Sequence, residues 1–508
     1  MHQFKYFLLA LVVFMLHSAN INAQMKSNIY NEPHRPQVHF TPKEKWMNDP
    51  NGMLYHKNTY HLFYQYYPDS TVWGPMHWGH ATSADMIHWK HQPIALYPDS
   101  LGYIFSGSAV VDIHNTSGFG NGKAPLVAIF THHDPVGEAQ GKSDYQNQSL
   151  AYSIDDGRTW IKYANNPVIK NPGIKDFRDP KVMWFKKDKK WILTLAASNR
   201  IIFYSSKNLK DWIMESEFGE NVGAHGGVWE CPDLFTLKHG GKTVWILIVN
   251  LNPGGPNKGS ATQYFLGDFD GKSFLPLSTE TKWLDYGPDE YAGVTWSNTG
   301  KRRLFLGWMS NWLYANVVPT EPWRNAMTIP RELRVIETNN ALLVASTPVK
   351  ELARIKSTPF VINNVSLSEK NDVSKSIKNL SFPCIVNLSV DGPKDISIIL
   401  SNNLGEELII GFDKIQNNYF IDRTKSGKTN FQADFPARHF APRFTSKTKM
   451  DISLMIDISS VELFADGGLT VMTEIFFPNK TYSEISIQSA DSALMKKFEY
   501  IKLNNIWK

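Results

Sequence analysis

Apolar and polar positions along this chain recur in short modules and not with a helical period. Neither half carries a long amphipathic helix. Short apolar strands alternate with turns rich in Gly, Asn, Asp and Pro, a pattern that predicts an all-β protein. In the first half a polar turn runs into an apolar strand at Asn58 to Tyr64, Gly122 to Phe130, Asp188 to Ala196, Gly240 to Val249 and Gly300 to Met309. The marker residues Leu62, Val127, Ile192, Trp245 and Leu304 lie 65, 65, 53 and 59 residues apart. Three units end in similar punctuation: Ser83-Ala-Asp-Met-Ile-His-Trp89, Ser153-Ile-Asp-Asp-Gly-Arg-Thr-Trp160 and Ser205-Ser-Lys-Asn-Leu-Lys-Asp-Trp212. Five units of this size predict four-stranded antiparallel blades set radially, a five-bladed β-propeller. Trp89, Trp160 and Trp212 are then expected to pack one blade on the next.

Composition places a boundary. Of 16 Trp in 508 residues, 15 lie between Trp46 and Trp323, and only Trp507 lies beyond. After residue 330 the chain turns to short apolar strands such as Leu408 to Phe412 and Met455 to Phe464. The expected layout is a propeller over 24–346, a linker over 347–363 that includes Pro348 and Pro359, and a second β domain over 364–508. Residues 1–23 read as a removable leader: Lys5 flanks the apolar run Phe7 to Leu16, and Asn22-Ala23 ends in a small residue. That run is half the length a membrane span needs. No cysteine precedes Cys231, which excludes a lipid-anchored amino terminus. The expectation is an exported protein, periplasmic or extracellular, without membrane insertion.

Charge and cysteine content narrow the function classes. Net charge is +5, with no long run of one sign, so nucleic acid is not an expected partner. Cys231 and Cys384 are too few for a disulfide scaffold and are expected to be free and buried. Acids beside prolines carry the chemistry. Asn48-Asp49-Pro50, Arg178-Asp179-Pro180 and Glu230-Cys231-Pro232-Asp233 open strand pairs in three units, with the acids 130 and 51 residues apart. Blades return equivalent positions to one level, so these carboxylates should meet at one mouth of the channel. The register is uneven, because Glu230 precedes its proline by two residues and the other acids by one. A lone Asp-Pro is a turn, but three in register among tryptophans suit glycoside hydrolysis, which needs a proton donor and a second carboxylate. Calcium is the other use of clustered acids, yet no loop has EF-hand spacing.

These segments resemble glycoside hydrolase family 32, the invertase, inulinase and levanase group, which hydrolyses β-fructofuranosides. The resemblance covers nearly the whole mature chain. Trp46-Met-Asn-Asp-Pro-Asn-Gly52 is similar to the family's nucleophile motif and implies that role for Asp49. Phe177-Arg178-Asp179-Pro180 implies a transition-state stabiliser, Asp179, helped by Arg178; Trp229-Glu230-Cys231-Pro232-Asp233 implies Glu230 as acid/base. Smaller matches bring Gln65, Trp73, Phe105, Ser106 and Trp308 to the sugar, with Asn48 and Gln65 as amide partners and Trp73 or Trp308 against its apolar face. Asp289-Glu290-Tyr291 departs from the family, which has an aromatic residue at its centre. Met455 to Phe464 with Asp466-Gly467 resembles the family's accessory β-sandwich. The implied activity is retaining hydrolysis of fructans or sucrose, exo-acting, without metal or organic cofactor. An endo-acting enzyme, a fructosyltransferase and a non-catalytic glycan-binding propeller stay open, as does the oligomeric state.

Overall fold

The computed structural model describes residues 29–339 and 341–507, so the leader expected over 1–23 lies outside the described residues. Among the described residues the protein is all-β apart from one short α-helix, Pro135–Ala139, and two 3₁₀ turns. Five antiparallel sheets follow one another up to Pro348. Sheet I holds Lys45–His56, Thr59–Tyr67, His77–Ser83 and Lys90–Leu96; sheet II holds Tyr103–Val111, Leu126–His133, Gln146–Ser153 and Ile161–Lys162. Sheet III holds Phe177–Phe185, Lys190–Ala197, Arg200–Ser206 and Ile213–Phe218. Sheet IV is Val228–His239, Lys242–Asn252, Ala261–Phe269 and Phe274–Pro276, with Lys282–Trp283 beside its third strand. Sheet V is Tyr291–Thr295, Leu304–Met309, Arg331–Thr338 and Ala341–Pro348, with Ala326–Met327 on its second strand.

The five turn-to-strand modules of the sequence all fall on second strands. Leu126–His133 and Lys190–Ala197 are buried at every position, because a neighbouring sheet covers each face. Fourth strands such as Lys90–Leu96 and Ile213–Phe218 are mostly half-buried or exposed. Apolar clusters fill the gaps between successive sheets: Phe63 and Phe130 between I and II, Val127 and Trp191 between II and III, Phe203 and Leu247 between III and IV, Ile248 and Phe305 between IV and V. A fifth cluster joins V back to I through Trp308 and Trp46. First strands touch in the same cyclic order, and Trp323–Arg324 pairs in parallel with Lys45–His56, tying the end of the ring to its start.

The repeated punctuation lies between the third and fourth strands, not at the unit ends. In each case a Ser hydroxyl accepts the N–H two residues on and the Asx side chain accepts the N–H three further on. The pairs are Ser83 with Asp85, Ser153 with Asp155, and Ser206 with Asn208. Trp160 and Trp212 then cap the turn through Nε1, donating to Gly157 O at 3.2 Å and Leu209 O at 2.8 Å. Their rings do pack between sheets: Trp160 stands edge-on to Phe63 of sheet I at 5.4 Å, and Trp89 meets Trp296 at 6.4 Å. Asp270 makes a fourth such turn that the sequence pattern did not reveal.

After Pro348 the stretch expected to link carries a 3₁₀ turn, Lys350–Ile355, with Leu352 and Ile355 buried. A ten-stranded sheet follows. Its longest strand, Glu484–Lys502, pairs with Ile396–Ser401 through its first third and with Cys384–Asp391 through its last. Strands from both sides of it share one apolar cluster, including Leu408, Ile452 and Met472, so the sheet closes over its own inner face. Cys231 and Cys384 are free and buried, as expected.

Phe63 has no exposed surface and is sandwiched by Trp160, Trp78 and His80. Phe63→Ala should cost about 3–5 kcal/mol, whereas Ile415→Ala, at a position 92% exposed, should stay within about 0.5 kcal/mol. Urea unfolding of the two variants beside the parent measures the difference.

Candidate active site

Each of the five first strands slips register against its second strand near its start. The slips fall between Met47 and Pro50, Ile104 and Gly107, Arg178 and Lys181, Glu230 and Asp233, and Tyr291 and Val294. Each bulge inserts residues that turn inward. In the last three, the first bulged residue has left-handed backbone: Asp179 at φ +66°, Cys231 at +43° and Ala292 at +54°. This equivalence explains the uneven spacing of the acids. Asp49 is the second residue of its bulge, Asp179 the first, and Glu230 stands just before one. All three are presented at the same end of the ring.

Asp49 Oδ2 accepts from Ser106 Oγ at 2.6 Å, and Oδ1 accepts from Asn48 Nδ2 at 2.9 Å. Asn48 is itself fixed by Trp46 Nε1 at 2.8 Å, so it orients Asp49. Asp179 Oδ2 accepts the backbone N–H of Cys231 at 3.0 Å. The Cys231 thiol lies 3.5 Å from Asp49 Oδ2 and 3.6 Å from Asp179 Oδ2, placing both carboxylates against one sulfur. Arg178 Nε donates to Glu230 Oε1 at 3.0 Å and Nη1 to Asp176 Oδ1 at 2.6 Å. Tyr291 donates its phenol O–H to Glu230 Oε2.

Crowding shows in the proton affinities. Burial, followed by the charge of Glu230, pushes Asp49 above the ordinary carboxylate range, while Ser106 and Asn48 oppose the rise. Asp179 is raised to about 7 by burial first; Glu230 and Asp49 add to this and Arg178 opposes it. Burial would discharge Arg178, but Glu230, Asp179 and Asp176 outweigh it and hold the guanidinium cationic.

The remaining expected residues divide. Phe105 stacks on His133 at 4.1 Å and meets the edge of Trp73 at 6.1 Å; Trp73, 39% exposed, stands at the rim. Gln65 is buried and donates to Ile104 O at 3.0 Å, bracing the strand that carries Ser106. Trp308 departs from expectation. Its ring has no exposed surface, enclosed by Trp46, Tyr291 and Trp312, so it backs the site and offers no face to a sugar. Half-buried Trp312 lies in front of it, stacked on Trp46 at 5.9 Å. Sequence reasoning missed Asp176 and the contact role of Cys231. The sequence signal for Asp176 is its place two residues before Arg178. Among the described residues no cluster of His, Cys, Asp and Glu could hold a metal ion.

Three recessed carboxylates, a bonded guanidinium and an aromatic rim make the kind of site that cleaves glycosidic bonds. Family models match in the same sense: the glycosyl hydrolases family 32 N-terminal domain over residues 39–346, and the family 32 C-terminal domain over 350–505. The chain belongs to glycosyl hydrolases family 32 and is a glycoside hydrolase. It is 46% identical over 495 residues to a levanase of Bacillus subtilis strain 168, covering 95% of this chain and 72% of the relative. An invertase of Schwanniomyces occidentalis is 36% identical, over 91% of this chain and 90% of the relative. The crystal structure of an exo-inulinase from Aspergillus awamori superposes with a TM-score of 0.87 at 36% identity, covering 94% of this chain and all of the other.

The raised Asp179 has a stability consequence. Its folded proton affinity exceeds the unfolded value near 3.8, so its contribution is full below about pH 4 and is lost as pH rises through about 7. Asp179→Asn should therefore melt roughly 2–4 °C higher than the parent at pH 7, with a flatter stability profile between pH 4 and 7. Calorimetric melts across that range check the sign.

Proposed function

We propose that the protein is a retaining β-fructofuranosidase that releases fructose from fructans and sucrose by exo cleavage. The observation that carries the reading is the convergence of Asp49, Asp179 and Glu230, from three sheets, on Cys231, Arg178 and Tyr291. Asp49, oriented by Asn48 and Ser106, attacks the anomeric carbon. Glu230 donates its proton to the leaving oxygen. A covalent fructosyl-enzyme forms, Glu230 then takes a proton from water, and Asp49 departs. Tyr291 suits both halves of this cycle, because a phenol can donate to the carboxylate and accept from the carboxyl. Asp179 and Arg178 hold ring hydroxyls most strongly in the transition-state shape. Exo action is supported by the likeness to an exo-inulinase of Aspergillus awamori; near the rim, Trp73 N donates to Asn316 Oδ1 at 2.9 Å and Thr71 Oγ1 to Glu321 Oε1 at 2.9 Å, joining two loops.

The architecture belongs to the same reading. The five sheets up to Pro348 are the blades of a propeller and the ten-stranded sheet, which includes Phe360–Asp372, is a β-sandwich, so the boundaries expected at 346 and 364 each fall inside a strand. Similarity to an extracellular exo-inulinase of Aspergillus niger supports export with removal of residues 1–23. No helix among the described residues is long and apolar enough to cross a membrane.

Asp49→Ala and Glu230→Gln should each lower kcat on sucrose by at least about 10³-fold while melting within a few degrees of the parent. Folded variants with near-parent turnover would refute the assignment. Chromatography of levan and inulin digests should show fructose alone; a ladder of oligosaccharides would replace exo with endo cleavage.

A further inference from the structure

The segment that delivers Tyr291 to the site is secured by the second half of the chain more than by its own sheet. Tyr286 N donates to Val471 O at 2.8 Å and Asp289 N to Thr473 O at 3.2 Å, so residues 286–289 lie along the strand Thr470–Ile475. The side chains repeat the attachment. Asp285 accepts from Thr473 N at 2.9 Å and Thr473 Oγ1 at 2.7 Å, and from Arg331 Nη1 at 2.9 Å. Asp289 Oδ2 accepts from Ile475 N at 2.9 Å and Arg423 Nη1 at 2.6 Å, and Tyr314 donates to its other oxygen. Gly287 is pressed so closely to that strand that a Cβ would stand 2.1 Å from Thr473 N and O. Asp285, Asp289 and Glu290 are fully buried.

Glu290 locks the segment from the other side. Its carboxyl fills space left by two glycines: a Cβ on Gly307 would come within 2.2 Å of Oε1, and one on Gly293 within 2.5 Å. Tyr291 follows with no intervening loop, and its phenol donates to Glu230. Three successive residues thus face three structures: Asp289 the second-half strand, Glu290 the glycine niche, Tyr291 the catalytic carboxyl.

We infer that the strand Thr470–Ile475 is a positioning element for catalysis, fixing Tyr291 and through its phenol the carboxyl of Glu230. This rests on Glu230 acting as the acid/base. The physical basis is tolerance: catalytic groups lose efficiency when displaced by a fraction of an ångström, and the bonds along residues 285–289 set where the phenol stands. A displaced phenol no longer exchanges its hydrogen bond with Glu230. Loosening the segment should therefore displace the kcat/KM pH profile in the same direction as removing the phenol does.

The experiment compares Tyr291→Phe, Thr473→Val, Asp289→Asn and Thr473→Ser in the full chain, on sucrose across pH, with melting curves for each. Tyr291→Phe sets the direct effect. Thr473→Val and Asp289→Asn should displace the alkaline limb in the same direction by roughly half a unit and lower kcat roughly three- to tenfold, with KM within about twofold. Thr473→Ser, which keeps the hydroxyl, should restore the parent profile. The inference is overturned if Thr473→Val and Asp289→Asn melt earlier yet keep the parent kcat and pH profile, or if Tyr291→Phe leaves the profile in place. Either result leaves the catalytic reading intact, since that reading falls if Asp49→Ala or Glu230→Gln stays active.

Discussion

Like-charge repulsion among three recessed carboxylates is the constraint to which the rest of the site answers. Two unit charges 4 Å apart repel by about 4 kcal/mol even at an effective dielectric of 20, and burial removes the water that would screen them. The protein offsets this with donors chosen one by one. Arg178 bridges Glu230 and Asp176, Ser106 and Asn48 hold Asp49, the Cys231 amide holds Asp179, and Tyr291 holds the second oxygen of Glu230. Regular pairing would commit these backbone positions to the neighbouring strand. Bulging every first strand at the same level frees them to face the shared site, and left-handed residues at Asp179, Cys231 and Ala292 are the local cost.

The interface between the two halves uses the same solution with the signs exchanged. Buried cations are set among acids from both sides. Arg331 lies between Asp285 and Glu462, and Arg423 reaches Asp289 and Glu474. His39 contacts Asp457 at 2.7 Å and Glu462 at 2.9 Å, and although burial disfavours its charge these partners raise it to about 9. Buried ion pairs add little net stability because desolvation offsets attraction, but a misplaced partner is costly, so they define one relative placement. The segment 285–289 runs through this network and ends at Tyr291. Interface geometry and active-site geometry are therefore one problem.

Much of this was legible in the residues. Turn chemistry and apolar runs marked all five second strands, since a strand covered on both faces needs continuous apolar sequence. The three acids stood out because each sits one or two residues before a proline near the start of a strand. Other features left weaker traces. Trp308 lies within the apolar strand Leu304–Met309 and Trp73 within a polar loop, and packing decides that the first ring is sealed behind Trp46 and Trp312 while the second stands at the rim. The fourth Asx turn at Asp270 lacks the Ser and Trp that identified the others.

By itself the sequence determined what local chemistry determines: β structure, the module length, the break in composition near residue 330, and which carboxylates are candidates. Periodicity and turn propensity act over a few residues, so they survive in the linear string. Tertiary structure decided the quantities that depend on residues far apart. The common level of the five bulges, the sharing of Cys231 by Asp49 and Asp179, and the docking of 285–289 on Thr470–Ile475 arise only when the ring closes and the second half packs on it. Proton affinities belong to that second group, because burial and neighbouring charge exist only in the folded chain.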